Sequence, residues 1–159
     1  MPAKYLTKSH NFDPTLIISQ IFLISSIYYL LQILFTFIFN TVFGLKIHID
    51  QILSSDALDF STSYGVAYIS TSFFTYLFMT VVLIITVDKA NKILDYILTN
   101  FFFHLILTTL NSHFPTSFMW WSIHTCFLIA VTLISEFISL KLDQRGIKLS
   151  FNLEGDKKI

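Results

Sequence analysis

The stretch YILTNFFFHLILTTLNSHFPTSFMWWSIHTCFLIAVTLIS, residues 96–135, decides the fold: its forty residues contain no Asp, Glu, Lys or Arg. A spanning helix takes about 20 mostly apolar residues to cross roughly 30 Å of hydrocarbon, so this run is long enough for two crossings. Asn111-Ser112-His113-Phe114-Pro115-Thr116 interrupts it near the middle. Pro115 lacks an N–H and disfavours helix at Phe114, while Asn111 and Ser112 can end the preceding helix by bonding the backbone. Thr116 or Ser117 is placed to cap the next helix, and Trp120-Trp121 follow at a position where indoles favour the headgroup level. The prediction is a transmembrane hairpin with its tip at one membrane face.

The rest of the composition agrees. The chain is 54% hydrophobic and 17% aromatic but only 13% charged, against about 25% charge in a soluble domain. A soluble globular enzyme and a nucleic-acid binder are both excluded by that balance. The single Cys126 permits no internal disulfide and lies inside an apolar run, away from the juxtamembrane position usual for palmitoylation. Pro2 stands where N-myristoylation needs Gly.

Upstream of the hairpin, Asp13-Pro14 is a helix start, an Asp cap followed by Pro at the first helical position. No charge then appears for 32 residues, Pro14 to Leu45, too long for the ~7–15-residue core of a signal peptide. A loop carries Lys46, Asp50, Asp56 and Asp59; Phe60 to Val87 is a second uncharged run of 28 residues, enough for one tilted span. The segment from Asp88 to Asp95 is a charged connection into the hairpin. The expected architecture is all-α: an N-terminal lead over residues 1–13, a four-helix transmembrane bundle over 14–136 with spans near 14–40, 62–87, 94–112 and 117–137, and a polar tail over 137–159.

Four spans place both termini and the Asp88–Asp95 connection on one side. Nine basic residues fall there: Lys4, Lys8, Lys89, Lys92, Lys141, Arg145, Lys148, Lys157 and Lys158. Lys46 stands alone opposite. Basic short flanks stay cytoplasmic, so both termini are expected in the cytosol.

Polar residues within the spans recur at helical spacing: Ser25, Gln32, Thr36 and Asn40; Ser61, Gly65, Ser72 and Thr75; Asn100, His104, Thr108 and Asn111; Ser122, Cys126 and Ala130. Such stripes are packing faces in lipid, where small and hydrogen-bonding side chains let helices approach. Gln32, Asn100, His104 and Asn111 are therefore assigned to bundle packing. No catalytic residue, metal ligand or cofactor site is assigned, because no His pair has the i, i+4 spacing of a helical metal site and no ionisable carboxylate or ammonium lies at a midplane. The competing reading is a small membrane-embedded enzyme or carrier built on the polar faces and His104. At the cytosolic interface, Asp13, Asp88, Lys89, Lys92, Asp95 and Glu136 form the densest charge set and the candidate partner-binding face, in contact with lipid headgroups as well.

Five motifs stand in the order found in the Sys family of Golgi membrane proteins, which this chain resembles from about Phe12 to Glu136. They are Phe12-Asp13-Pro14, Asp50-Gln51-Ile52, Val87-Asp88-Lys89-Ala90-Asn91-Lys92-Ile93-Leu94-Asp95-Tyr96, Phe102-Phe103-His104-Leu105, and Phe114-Pro115-Thr116-Ser117 with Trp120-Trp121. Asp88 stands where the family pattern has Glu, and Asn91 where a basic residue is common. The resemblance implies a non-enzymatic, multi-pass resident of the trans-Golgi membrane. It also implies a receptor that recruits an N-terminally acetylated Arf-like small GTPase and, through it, golgin tethers for traffic between endosomes and the trans-Golgi.

The topology has a direct check. An Asn-X-Ser/Thr acceptor inserted between Lys46 and Asp59 is expected to be glycosylated, and the same acceptor at either terminus is not; the opposite pattern at either end would break the four-span reading.

Overall fold

The computed structural model describes residues 14–48, 50–54, 61–87 and 90–155, with side chains as far as Gln144. Five helices follow in order: α1 (Pro14–Phe43), α2 (Asp50–Leu53), α3 (Ser63–Thr86), α4 (Ile93–Asn111) and α5 (Phe118–Gly155). A 3-10 turn, Ala90–Lys92, leads into α4, and there is no strand among the described residues.

Local chemistry sets the helix ends. After α1, Gly44 adopts φ +66°, its N–H bonds the carbonyl of Thr41 at 3.3 Å, and the N–H of Leu45 bonds that of Asn40 at 2.8 Å. These are the two bonds of a Schellman stop, which needs a left-handed residue that glycine supplies without strain. Thr62 caps α3, its hydroxyl accepting from the N–H of Gly65 at 3.1 Å. The α4–α5 turn falls at Ser112–Ser117, around Pro115, with the N–H of Ser112 still bonded to Thr108 at 3.0 Å.

Helices α1, α3, α4 and α5 are each long and apolar enough to cross a membrane. α1 packs along α3, α3 along α5, α5 against α4 and α4 against α1, so the four close into a bundle. Toward the Pro14 end the core is aliphatic and tyrosine-rich, with Ile24, Tyr28, Met79, Leu83, Ile93 and Ile97 all buried. Toward the other end it is aromatic, built on Trp120 and Tyr68 with Phe101 and Leu105 against them. The outer surface is apolar as well: Leu30, Phe37, Val42, Ile85, Leu110 and Phe118 are all exposed. A water-soluble protein rarely shows so continuous an apolar surface; lipid chains are what this one fits.

The fourth span departs from expectation in two ways. Ser122 and Cys126 are exposed and Ala130 only half-buried, so the Ser122–Cys126–Ala130 stripe is not the packing face. The buried face of α5 instead carries Trp120, His124, Val131, Thr132, Ser135 and Ser139. Ser122 can face lipid because its hydroxyl donates to the Phe118 carbonyl one turn back, at 2.9 Å, and Ser26, Thr41 and Thr109 do the same with Phe22, Phe37 and Leu105. Trp120, expected at the headgroup level, is fully buried, while Trp121 is half-buried with its indole N–H donating to the Pro115 carbonyl at 2.9 Å. On α3, Ser61 lies before the helix and is exposed, while Gly65, Ser72 and Thr75 are buried. The last helix also continues past residue 137, to Gly155.

Leu83 is 0% exposed in the aliphatic half, whereas Val81 two residues away is 54% exposed. Leu83→Ala is expected to destabilise the bundle by about 2–5 kcal/mol and Val81→Ala by no more than about 0.5 kcal/mol, measured by reversible unfolding in mixed micelles.

Candidate functional site

Side-chain hydrogen bonds tie the bundle at three depths. Near the Pro14 end, Gln20 of α1 donates to the Thr86 carbonyl at the end of α3, at 2.9 Å, and accepts from the Tyr96 hydroxyl of α4. At mid-height the Tyr29 hydroxyl meets His104 Nδ1 at 3.3 Å, and the Tyr68 hydroxyl meets His124 Nε2 at 3.3 Å. At the far end, Asn40 and Gln51 exchange amide bonds, joining α1 to α2. Asn111 donates to Asp50 Oδ1 at 3.4 Å and to the Leu53 carbonyl at 3.3 Å, so α2 is tied to α4 as well.

The middle layer holds the only buried histidines among the described residues. His104 and His124 stack, with centroids 5.4 Å apart at 25°, and His124 also stacks on Trp120 at 4.2 Å. The Trp120 carbonyl, which only accepts, lies 2.9 Å from His124 Nδ1. That nitrogen therefore carries the proton, leaving Nε2 of the neutral ring to accept from Tyr68. Both rings are 1% exposed. Among the described residues no third His, Cys, Asp or Glu joins them as a metal set would require. Spacing within single helices could not reveal this pair, because it forms across α4 and α5.

Of the residues assigned to packing, Gln32, Asn100 and His104 are buried at 1%, 3% and 1% exposure. Asn111 is exposed and serves α2 rather than the interior. Of the charged candidates, Asp13, Asp88 and Lys89 lie outside the described residues. Lys92 is half-buried at the start of α4, Asp95 is exposed in its first turn, and Glu136 is half-buried on α5. The 3-10 turn packs on α5, so the connection and the α5 stem share one end of the bundle. On that stem Lys141 places its ammonium 4.6 Å from the centre of the Phe137 ring, within cation–π range. Between α1 and α4 at this end opens a cleft of about 270 Å³ lined by Ile17, Ile21, Lys92, Asp95, Tyr96 and Thr99. Three features are not visible in the sequence motifs: the His104–His124 pair, the Asn40–Gln51 amide exchange, whose only signal is the place of Gln51 in Asp50-Gln51-Ile52, and this cleft, whose walls are 75 residues apart from Ile21 to Tyr96.

Four apolar helices around an interior that buries no Asp, Glu, Lys or Arg among the described residues define a polytopic integral membrane protein. Residues 7–149 match the model of the SYS1 family, described as "Integral membrane protein S linking to the trans Golgi network". The chain belongs to that family. It is 25% identical over 142 residues to the protein SYS1 homolog of Dictyostelium discoideum, covering 89% of this chain and 61% of that protein. It is 27% identical over 152 residues to the protein SYS1 homolog of Nematostella vectensis, covering 96% of this chain and 97% of that one. No solved structure matches.

Tyr68→Phe removes the hydroxyl facing His124 while keeping the ring. It is expected to cost about 0.6 kcal/mol, the average for an interhelical bond in lipid, and a double-mutant cycle with His124→Phe should return a coupling of that size.

Proposed function

We propose that this protein is a membrane receptor of the trans-Golgi that recruits an N-terminally acetylated Arf-like small GTPase, and through it golgin tethers, in traffic between endosomes and the trans-Golgi. The family's link to the trans-Golgi network carries the reading. The gathering of the connection before α4 and the Glu136–Lys141 stem of α5 at one bundle end gives it a surface. Nine of the ten basic residues fall in the sequence before α1, between α3 and α4 or after Glu136, a distribution that argues for a cytosolic position of both termini.

The physical rationale lies in the weakness of single membrane anchors. An amphipathic segment without a long lipid chain binds a bilayer reversibly, and stable attachment generally takes a second signal. A receptor at the membrane surface is such a signal. Acetylation removes the partner's N-terminal positive charge, which would be costly to bury among helix ends. The role is that of a binding partner and not a catalyst: His104 and His124 are enclosed between tyrosines and Trp120.

Replacing residues 88–91 with a neutral Gly/Ser linker, together with Glu136→Lys, is expected to release the GTPase from Golgi membranes to the cytosol while the receptor itself stays in place. Undiminished recruitment in cells that lack the native chain would remove this face from the receptor role.

A further inference from the structure

The cleft between the starts of α1 and α4 presents one cationic and one anionic side chain over an apolar wall. We propose that it seats the headgroup of phosphatidylethanolamine, with the phosphate on Lys92, the primary ammonium on Asp95 and the glycerol end against Ile17 and Ile21.

Four observations lead to this lipid. Lys92 and Asp95 are three residues apart and both line the cleft, a spacing that places them as neighbours on one helical face. They are not joined in an ion pair with each other or with any other described residue. Their charges are therefore available to a ligand that carries both signs one two-carbon link apart. The hydroxyls beside them are already committed, that of Thr99 to the Asp95 carbonyl at 2.7 Å and that of Tyr96 to Gln20, so the two charged groups are the recognition elements. Finally, the site lies in the first turns of α4 beside the start of α1, at the ends of two candidate spans, so that the acyl chains of a lipid held there can run down the exposed faces of Ile18 and Leu94.

The same pair of groups sorts the alternatives. Phosphatidylcholine carries the same charges, but its quaternary ammonium has no N–H to donate to a carboxylate. An anionic lipid such as phosphatidylserine brings a second carboxylate toward Asp95. A sterol satisfies neither charge. Charge-assisted hydrogen bonds are among the stronger polar contacts, and one of them is worth roughly a tenfold preference or more.

The proposal does not depend on the receptor role, and the experiment contains no GTPase. The full chain, purified and placed in nanodiscs of equimolar phosphatidylethanolamine and phosphatidylcholine, is released and weighed by native mass spectrometry. One phosphatidylethanolamine is expected to be retained over phosphatidylcholine by about tenfold or more. Asp95→Asn should bring that ratio to about one, Lys92→Ala should reduce retention of both lipids, and Asp143→Asn, at an exposed carboxylate outside the cleft, should leave the ratio unchanged. Helix content by circular dichroism confirms that each variant is folded. Equal retention by the native chain, a preference that Asp95→Asn does not move, or preferred capture of phosphatidylserine when it is added to the mixture would each overturn the proposal.

Discussion

Hydrocarbon offers a backbone amide no partner, and that constraint governs the chain. Every N–H and C=O within the bilayer must find its mate inside its own segment, so the three long uncharged runs, the last of them broken around Pro115, become four helices. Among the described residues the irregular backbone is confined to the helix ends, at 44–48, 54, 61–62, 87 and 112–117. The same rule explains the serines and threonines on the lipid face. Each of Ser26, Thr41, Thr109 and Ser122 returns its hydroxyl to a carbonyl one turn back, so a polar residue can sit against lipid with its donor satisfied.

Burial of apolar groups cannot hold such helices together, because lipid is as apolar as leucine. Shape and interhelical hydrogen bonds must do it. The bonds here come at three heights: Gln20 with Thr86 and Tyr96, the tyrosine–histidine contacts in the middle, and Asn40 with Gln51 at the far end. Individually each is modest. Together they fix axial register, since sliding one helix by a turn would break bonds at every level. The stacked His104–His124–Trp120 group adds a packed layer at mid-height. These histidines thus act as shaped, hydrogen-bonded core residues, for which a neutral ring is suited.

Much of this was legible in the residues, and the reasons differ for what was not. Length and absence of charge fix the number of spans, because the hydrocarbon thickness is a ruler that the sequence must match; Gln32, Asn100 and His104 could be assigned to the interior because polar groups at helical spacing need a protein neighbour. The face of α5 was misjudged because smallness was taken to mark burial. Serine and cysteine are small enough to pack yet content in lipid, whereas Trp120, read as an interfacial anchor, has the volume to fill the gap opposite His104. Trp121, next to it, stays half-buried with its indole N–H donating to the Pro115 carbonyl. Contacts between distant elements, such as the histidine pair and the Ile21–Tyr96 cleft wall, leave no mark in local spacing. They arise only when helices with the same polar seam are placed side by side.

An interior without charge has a further consequence for where function can reside. The described core buries no Asp, Glu, Lys or Arg, and Gln20, Tyr29, Tyr68 and Tyr96 use their polar atoms to bond across helices. Among the described residues charge is concentrated at one end, on Lys92, Asp95, Glu136 and Lys141. The receptor role proposed above would be served by this division: the spans hold position in the bilayer, and substitutions at the charged end would alter what is held there without disturbing the bonds that set the helices. On that reading specificity is carried by residues outside the interhelical bonds, so that recognition can change while the fold stays the same.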